Sequence, residues 1–328
     1  MFVAHVYPHV GMGNIGVKKM EKKYVGEKSV ERIKRLMRKK NAVVFAHNYE
    51  RPEVLDIADV VGGSSRLVNA AMETSADIIV VCGVDFMAET VAILNPDKKV
   101  ILPDRGARCP MAQELSRAEL LKAKRENPNA KVLLYMNSLA ETKALADCIC
   151  TSSNAVKLAE TMDGGSSILF GPDRGLAYYV SKRTSKKIIP FPEYGICPVH
   201  YQISLEDMIE AKEAHPGAKI VGHPECTPEV QDFTDYLGST TGIVRFCKEA
   251  EGDEFLVAAE VGLMHMLKKA APDKIFYPVS NTTICTLMKM ATLSKIEKAL
   301  ETEKYEVVIP REIAVAARRP IERMLELS

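Results

Sequence analysis

No run of apolar residues in the 328-residue chain approaches the roughly 20 needed to span a bilayer. The first 26 residues, Met1 to Gly26, lack the basic segment and apolar stretch of a secretory signal. They form an irregular leader, with Met12 and Met20 as alternative starts, and the expected compartment is the cytoplasm. Neither charge sign is in excess: 44 Lys and Arg face 43 Asp and Glu, a net charge of +1. A nucleic-acid groove or an anionic membrane face is therefore not called for. The eight cysteines, at 82, 109, 148, 150, 197, 226, 247 and 285, contain no CxxC pair. That removes the usual zinc-ribbon and ferredoxin spacings. A disulfide framework is not expected in a long chain without a signal. Tryptophan is absent, but 47% hydrophobic and 27% charged residues are those of a globular chain, not a disordered one.

What the chain does have is a repeat. Segments ending at Asp59, Asp147 and Asp235 are spaced by 88 residues, without a gap. The same offset aligns Glu53, Glu141 and Glu229. It aligns His47 with Tyr135 and His223, and Tyr49 with Asn137 and Glu225. It also aligns the pairs Ser64-Ser65, Ser152-Ser153 and Thr240-Thr241, and the cysteines Cys109, Cys197 and Cys285. Each of these cysteines follows a lysine-led apolar run and a proline: KKVILP, KKIIPFP and DKIFYP.

Within the first copy, short apolar runs (NAVVFAH, DIIVVCG, KKVILP) alternate with helical patterns (PEVLDIAD, SSRLVNAAMETS, DFMAETVAIL). That alternation predicts βαβ units and a parallel sheet. The expected fold is α/β: three homologous αβα sandwiches around a pseudo-threefold axis. The units run over 27–110, 111–198 and 199–288, followed by a tail, 289–328, that packs back on them. The basic amphipathic segment SVERIKRLMRKK precedes the first strand as a helix.

Ligands of open parallel sheets bind beyond the carboxyl ends of the strands. His47, Tyr135 and His223 end the first strands. The Ser-Ser and Thr-Thr pairs open the second helices, where a hydroxyl caps the helix and the free N–H groups suit an anion. The three cysteines follow the fourth strands. All these columns therefore share one edge and are expected to converge on a central cavity. Three thiolates there suit a soft metal. Zinc in a structural site would want a fourth protein ligand. A cubane iron–sulfur cluster held by three cysteines keeps one iron open as a Lewis acid. Cys82, Cys148, Cys150, Cys226 and Cys247 lack the threefold correspondence and are expected to be small core residues. Asp59, Asp147 and Asp235 are expected to be structural. Glu225 is the natural proton shuttle, with His47, His223, Tyr49 and Tyr135 beside it. Asn137 is a candidate hydrogen-bond donor in the cavity. His200, three residues after Cys197, is assigned to ordering the loop.

The motifs AHNY (46–49), YMNS (135–138), TSSNAV (151–156), GICPVH (195–200), HPEC (223–226) and CTLMKMATL (285–293) resemble those of the quinolinate synthase family, the A protein of bacterial and archaeal NAD biosynthesis. The likeness covers nearly everything from Ser29 onward; the leader has no counterpart, and the extra C-terminal cysteine motif of some relatives is absent. The resemblance implies a [4Fe–4S] cluster on Cys109, Cys197 and Cys285. It implies condensation of iminoaspartate with dihydroxyacetone phosphate to quinolinate, phosphate and two waters, coupled to an enzyme that makes iminoaspartate. It puts Ser64, Ser152 and Thr240 on carboxylate or phosphate oxygens, with His47, Tyr135, Asn137, His223 and Glu225 around the substrate. A zinc or iron hydro-lyase on the same scaffold is the nearest rival. A non-enzymatic electron carrier is a more distant one, because it needs no cavity lined by His, Tyr, Asn and Glu.

Overall fold

The structure, a computed structural model, describes residues 27–162 and 167–328; the expected leader lies outside the described residues. Three four-stranded sheets, parallel throughout, form its frame. The first holds β1 (Ala42–His47), β2 (Val60–Gly62), β3 (Ile78–Cys82) and β4 (Lys99–Ile101) in the order β2-β1-β3-β4. The second, β5 (Lys131–Tyr135) to β8 (Lys187–Pro190), is ordered β6-β5-β7-β8, with β6 at Cys148–Cys150 and β7 at Ser167–Gly171. The third repeats the order as β10-β9-β11-β12, from Lys219–Gly222 (β9), Tyr236–Leu237 (β10), Glu254–Ala258 (β11) and Ile275–Pro278 (β12). The fold is the expected α/β class with three similar units. Even the register obeys the 88-residue offset: Phe45 pairs with Val60, Leu133 with Cys148, and Val221 with Tyr236.

The strands are runs of Val, Ile, Leu and Phe because helices cover both faces, as in parallel sheets generally. Every residue of β3 is buried. Each unit opens with a helix, over residues 27–39, Arg117–Glu126 and Leu205–Ala214. The latter two start at capping boxes in the same repeat column, Ser116 with Glu119 and Ser204 with Asp207. The aspartate column is structural, as expected. The carboxylates of Asp59, Asp147 and Asp235 accept the amides of Val44, Val132 and Ile220 at 2.7, 2.8 and 2.7 Å. In each case the aspartate's own amide donates to the carbonyl of that same residue, so β2, β6 and β10 are tied to the strand beside them.

Two side chains of one column bind neighbouring units together. Lys143, wholly buried, reaches from the second unit to Thr90 Oγ1 (2.7 Å) and the Phe86 carbonyl (3.2 Å) of the first. Gln231 of the third donates to the Gly175 carbonyl of the second at 2.8 Å. The tail consists of helices Leu293–Thr302 and Arg311–Leu327. Ile296, Ala299 and Leu300 join Ile33, Val44 and Leu55 in the core of the first unit. The last helix packs against β6 and helices Ala140–Lys143 and Asp85–Leu94, burying Ala317, Ile321 and Met324. Among the described residues, no helix is long and apolar enough to cross a membrane.

Candidate active site

The carboxyl ends of the three sheets enclose one cavity of about 610 Å³. His47, Tyr135 and His223 line it, as do Tyr49, Asn137 and Glu225 from positions two residues on. Cys109, Cys197 and Cys285 line it as well, from the loops after β4, β8 and β12. These three cysteines are partly exposed, whereas the five without threefold correspondence are buried. Burial pushes all three thiols above the ordinary range. Each cysteine amide donates to a carboxylate: Cys109 to Asp85 at 3.0 Å, Cys197 to Asp173 at 3.2 Å, and Cys285 to Glu260 at 3.0 Å.

Glu225, 4% exposed, is the hub of the polar contacts. His200 Nδ1 lies 2.9 Å from its Oε2 and 3.2 Å from Cys197 Sγ. Asn137 Nδ2 donates to Oε1 at 3.3 Å, and Tyr135 also hydrogen-bonds to the carboxylate. Burial opposes ionisation of Glu225, but the field of His223 and the hydrogen bonds of His200 and Tyr135 outweigh it and hold the carboxyl well below its usual range. At neutral pH His223 is itself uncharged: burial lowers it to about 3, and His47 to about 4. The phenols of Tyr49 and Tyr135 are raised, first by burial and then by Glu225, and stay protonated.

The two cavity histidines are held alike. His47 Nδ1 accepts the amide of Tyr49 at 3.2 Å, and His223 Nδ1 accepts that of Glu225 at 3.3 Å. A neutral imidazole that accepts at Nδ1 carries its proton on Nε2, so both rings are donors at that atom. The loop of Glu225 is packed against the second unit at Gly175, where a Cβ would stand 2.6 Å from the Cys226 carbonyl. Only glycine permits that approach.

The hydroxyl column corrects one expectation. Ser64 and Thr240 do open helices, Ser64–Glu73 and Thr240–Glu249, but the corresponding helix of the second unit starts at Ala155, three residues past Ser152. The amide of Thr151 donates instead to Asn154 Oδ1 at 2.7 Å, forming a turn that contains Ser152. None of the three hydroxyls caps a helix: Gly63, Asn154 and Ser239 hold the cap positions, and of these only Ser239 accepts a helix amide. All three line the cavity. Thr240 Oγ1 accepts from Asn48 Nδ2 at 2.8 Å, joining the first and third units. Their neighbours Ser65 and Thr151 join the first and second at 2.9 Å.

Comparison with known proteins identifies the family. The profile of the NadA family, "Quinolinate synthetase A protein", matches residues 31–326. The chain is 49% identical over 302 residues to a quinolinate synthase of Thermococcus onnurineus, covering 92% of this chain and 99% of that one. It is 50% identical over 299 residues to that of Pyrococcus abyssi, covering 91% and 99%. To that of Methanocaldococcus jannaschii it is 48% identical over 304 residues, covering 91% and 98%. The chain belongs to the quinolinate synthetase A protein family.

Membership of this family makes the chain an enzyme. Within this quinolinate synthetase A chain, the repeat brought every column residue expected at the site into one cavity. Two features lay outside that reasoning. His200 has no counterpart in the repeat, since Ala112 and Met288 stand 88 residues to either side. Yet it is buried and joins Tyr49, Glu225 and Cys197. The carboxylates behind the cysteines were also missed: Asp85 and Asp173 share a column, but the third unit has Val261 there and uses Glu260. The signal available was a carboxylate immediately beyond the third strand of each unit.

Proposed function

We propose that the chain is a cytoplasmic quinolinate synthase of NAD biosynthesis, condensing iminoaspartate with dihydroxyacetone phosphate to quinolinate, phosphate and two waters. In this reading Cys109, Cys197 and Cys285 hold a [4Fe–4S] cluster. One observation carries the proposal: three corresponding, partly exposed thiols share one cavity with an ionised Glu225, in a chain of this family. A set of three thiolates from three separate loops fits a soft, sulfur-ligated group. Bound by three thiolates, such a cluster leaves one iron without a protein ligand and supplies a Lewis acid for a substrate oxygen.

The chain's own residues account for the remainder. The substrates carry two carboxylates and a phosphate, and Ser64, Ser152 and Thr240 offer hydroxyls that no helix cap consumes. His47 and His223 donate from neutral Nε2–H groups to substrate oxygens. Asn137, now held by Glu225, is positioned to turn to a carboxylate. Glu225 takes a proton as the carbon nucleophile forms and returns it in the imine–enamine and dehydration steps. His200 fixes that carboxylate through Nδ1 and meets the Tyr49 hydroxyl, 3.2 Å away, through Nε2. The Tyr49 hydroxyl therefore donates to His200, which donates to Glu225, a chain along which a proton can be supplied to the carboxylate.

A second reading has its own observation. Cys197, His200 and Glu225 present donor atoms that all lie within 4.8 Å of one another, a spacing suited to a single ion and to a metal-dependent hydro-lyase. Anaerobic purification separates the two. The cluster reading expects a brown, iron- and sulfide-containing protein that forms quinolinate from iminoaspartate and the triose phosphate. A colourless protein with one zinc and no quinolinate formation contradicts it.

A further inference from the structure

The carboxylates behind the three cysteines recur too regularly to be incidental. Asp85, Asp173 and Glu260 each stand just after the third strand of a unit, 24, 24 and 25 residues before the cysteine whose amide they accept. In the third unit the column position is Val261, and the carboxylate has moved one residue back. Glutamate is one methylene longer than aspartate, and the bond to Cys285 is 3.0 Å, as at Cys109. Two different side chains at two different registers thus deliver the same acceptor to the same place.

Each carboxylate also grips the neighbouring helix start. Asp85 Oδ1 accepts the Phe86 amide at 2.9 Å, and its Oδ2 accepts Gln113 Nε2 at 2.5 Å. Asp173 Oδ1 accepts the Leu176 amide at 2.6 Å, capping helix Arg174–Ser181. Glu260 Oε2 accepts the Gly262 amide at 2.6 Å, and Oε1 also accepts Lys289 Nζ at 2.7 Å. Lys289 in turn donates to the Tyr49 carbonyl of the first unit. Both oxygens of every carboxylate are thereby used, and each cysteine amide is tied to a rigid element of its own unit. Loops left free would lose about 1–2 kcal/mol of backbone entropy per residue on ordering around a metal group. These bonds make that ordering part of the fold.

We propose that Asp85, Asp173 and Glu260 are positioning residues that hold the three cysteine loops in their metal-binding arrangement, one carboxylate for each cysteine. The proposal rests on the assignment of Cys109, Cys197 and Cys285 as ligands, which is tested in parallel by the iron content of Cys109→Ala. The experiment challenges the anaerobically purified, iron-containing protein with a chelator. It follows the loss of visible absorbance, and samples quenched part-way with iodoacetamide are mapped by peptide mass. Asp85→Ala, Asp173→Ala and Glu260→Ala should each lose iron about tenfold faster or more, the weight of a hydrogen bond whose loss leaves a buried amide without its acceptor. The cysteine alkylated first should change with the variant: Cys109, Cys197 and Cys285 respectively. Asp85→Asn, which keeps a carbonyl oxygen for the Cys109 amide, should stay within about threefold of the parent. Because Asp173→Ala also uncaps a helix, Asp173→Ser, which retains a cap but falls short of Cys197, should lose iron as fast. Asp147→Ala, which removes a strand anchor remote from the cysteines, should leave both the rate and the order of alkylation unchanged. Unchanged rates in the carboxylate variants, or one order of alkylation common to all three, would overturn the proposal. Iron retained by Cys109→Ala would instead overturn the ligand assignment.

Discussion

His200 Nδ1 and Glu225 Oε2 stand 2.9 Å apart, with both side chains almost wholly buried. With the field of His223 and the hydrogen bond of Tyr135, the pair holds Glu225 ionised although burial opposes it. Glu225→Gln keeps the size of the side chain and an acceptor for His200 but cannot take a proton. Iron content and melting temperature should be retained, while kcat falls by about two to four decades, the usual weight of a positioned general base. A normal kcat would remove Glu225 from the proton transfers.

The hydroxyl column gives a second prediction. A serine or threonine that caps a helix contributes about 0.5–2 kcal/mol of stability, and none of these three caps one. Ser64→Ala and Ser152→Ala should therefore leave the melting temperature nearly unchanged. Thr240→Ala should lower it slightly, since Asn48 loses its acceptor. At least two of the three variants should lose about 1.5–3 kcal/mol in kcat/KM, the worth of a bond to a substrate anion. Kinetics with each substrate varied, beside thermal melts, check this; unchanged kinetics in all three would deny the hydroxyls any part in binding.

The cavity histidines predict the acid limit of the fold. Their folded values, about 4 for His47 and about 3 for His223, lie below the ordinary value of 6.5 because the rings are buried. As pH falls, the unfolded chain takes up these protons first. Stability is fully present above about pH 6.5 and is lost as pH falls from there toward 3–4, with a limiting slope of about 1.4 kcal/mol per pH unit for each histidine. Glu225, also depressed, acts in the same direction but in stronger acid. Thermal melts at pH 7.5 and 5 should show a marked fall for the parent and a smaller one for His223→Gln. An equal fall in both would show that His223 is not buried neutral.

Much of this architecture is legible in the sequence because a repeat converts one-dimensional spacing into three-dimensional equivalence. Asp59, Asp147 and Asp235 each hold a strand amide, and Cys109, Cys197 and Cys285 reach one cavity, because equal offsets place equal residues at equal points of three like sandwiches. The same logic is blind where symmetry breaks. His200 occurs once, so no column vouches for it, and its weight comes from contacts with Tyr49 of the first unit and with Glu225. Glu260 escapes because a longer side chain from a shifted register does the work of an aspartate. The helix expected at Ser152 starts at Ala155 because the Asn154 side chain holds the Thr151 amide in a turn, a local competition that apolar periodicity does not record.

The central claim is that the three corresponding cysteines, and not the other five, hold an iron–sulfur cluster. Iron and sulfide content of anaerobically purified single variants tests it most directly. Cys109→Ala, Cys197→Ala and Cys285→Ala should each lose the iron, because two thiolates do not retain a cubane. Cys148→Ala and Cys247→Ala, which alter buried thiols outside the cavity lining, should keep it. A protein that loses its iron with Cys148→Ala and keeps it with Cys197→Ala would contradict the account.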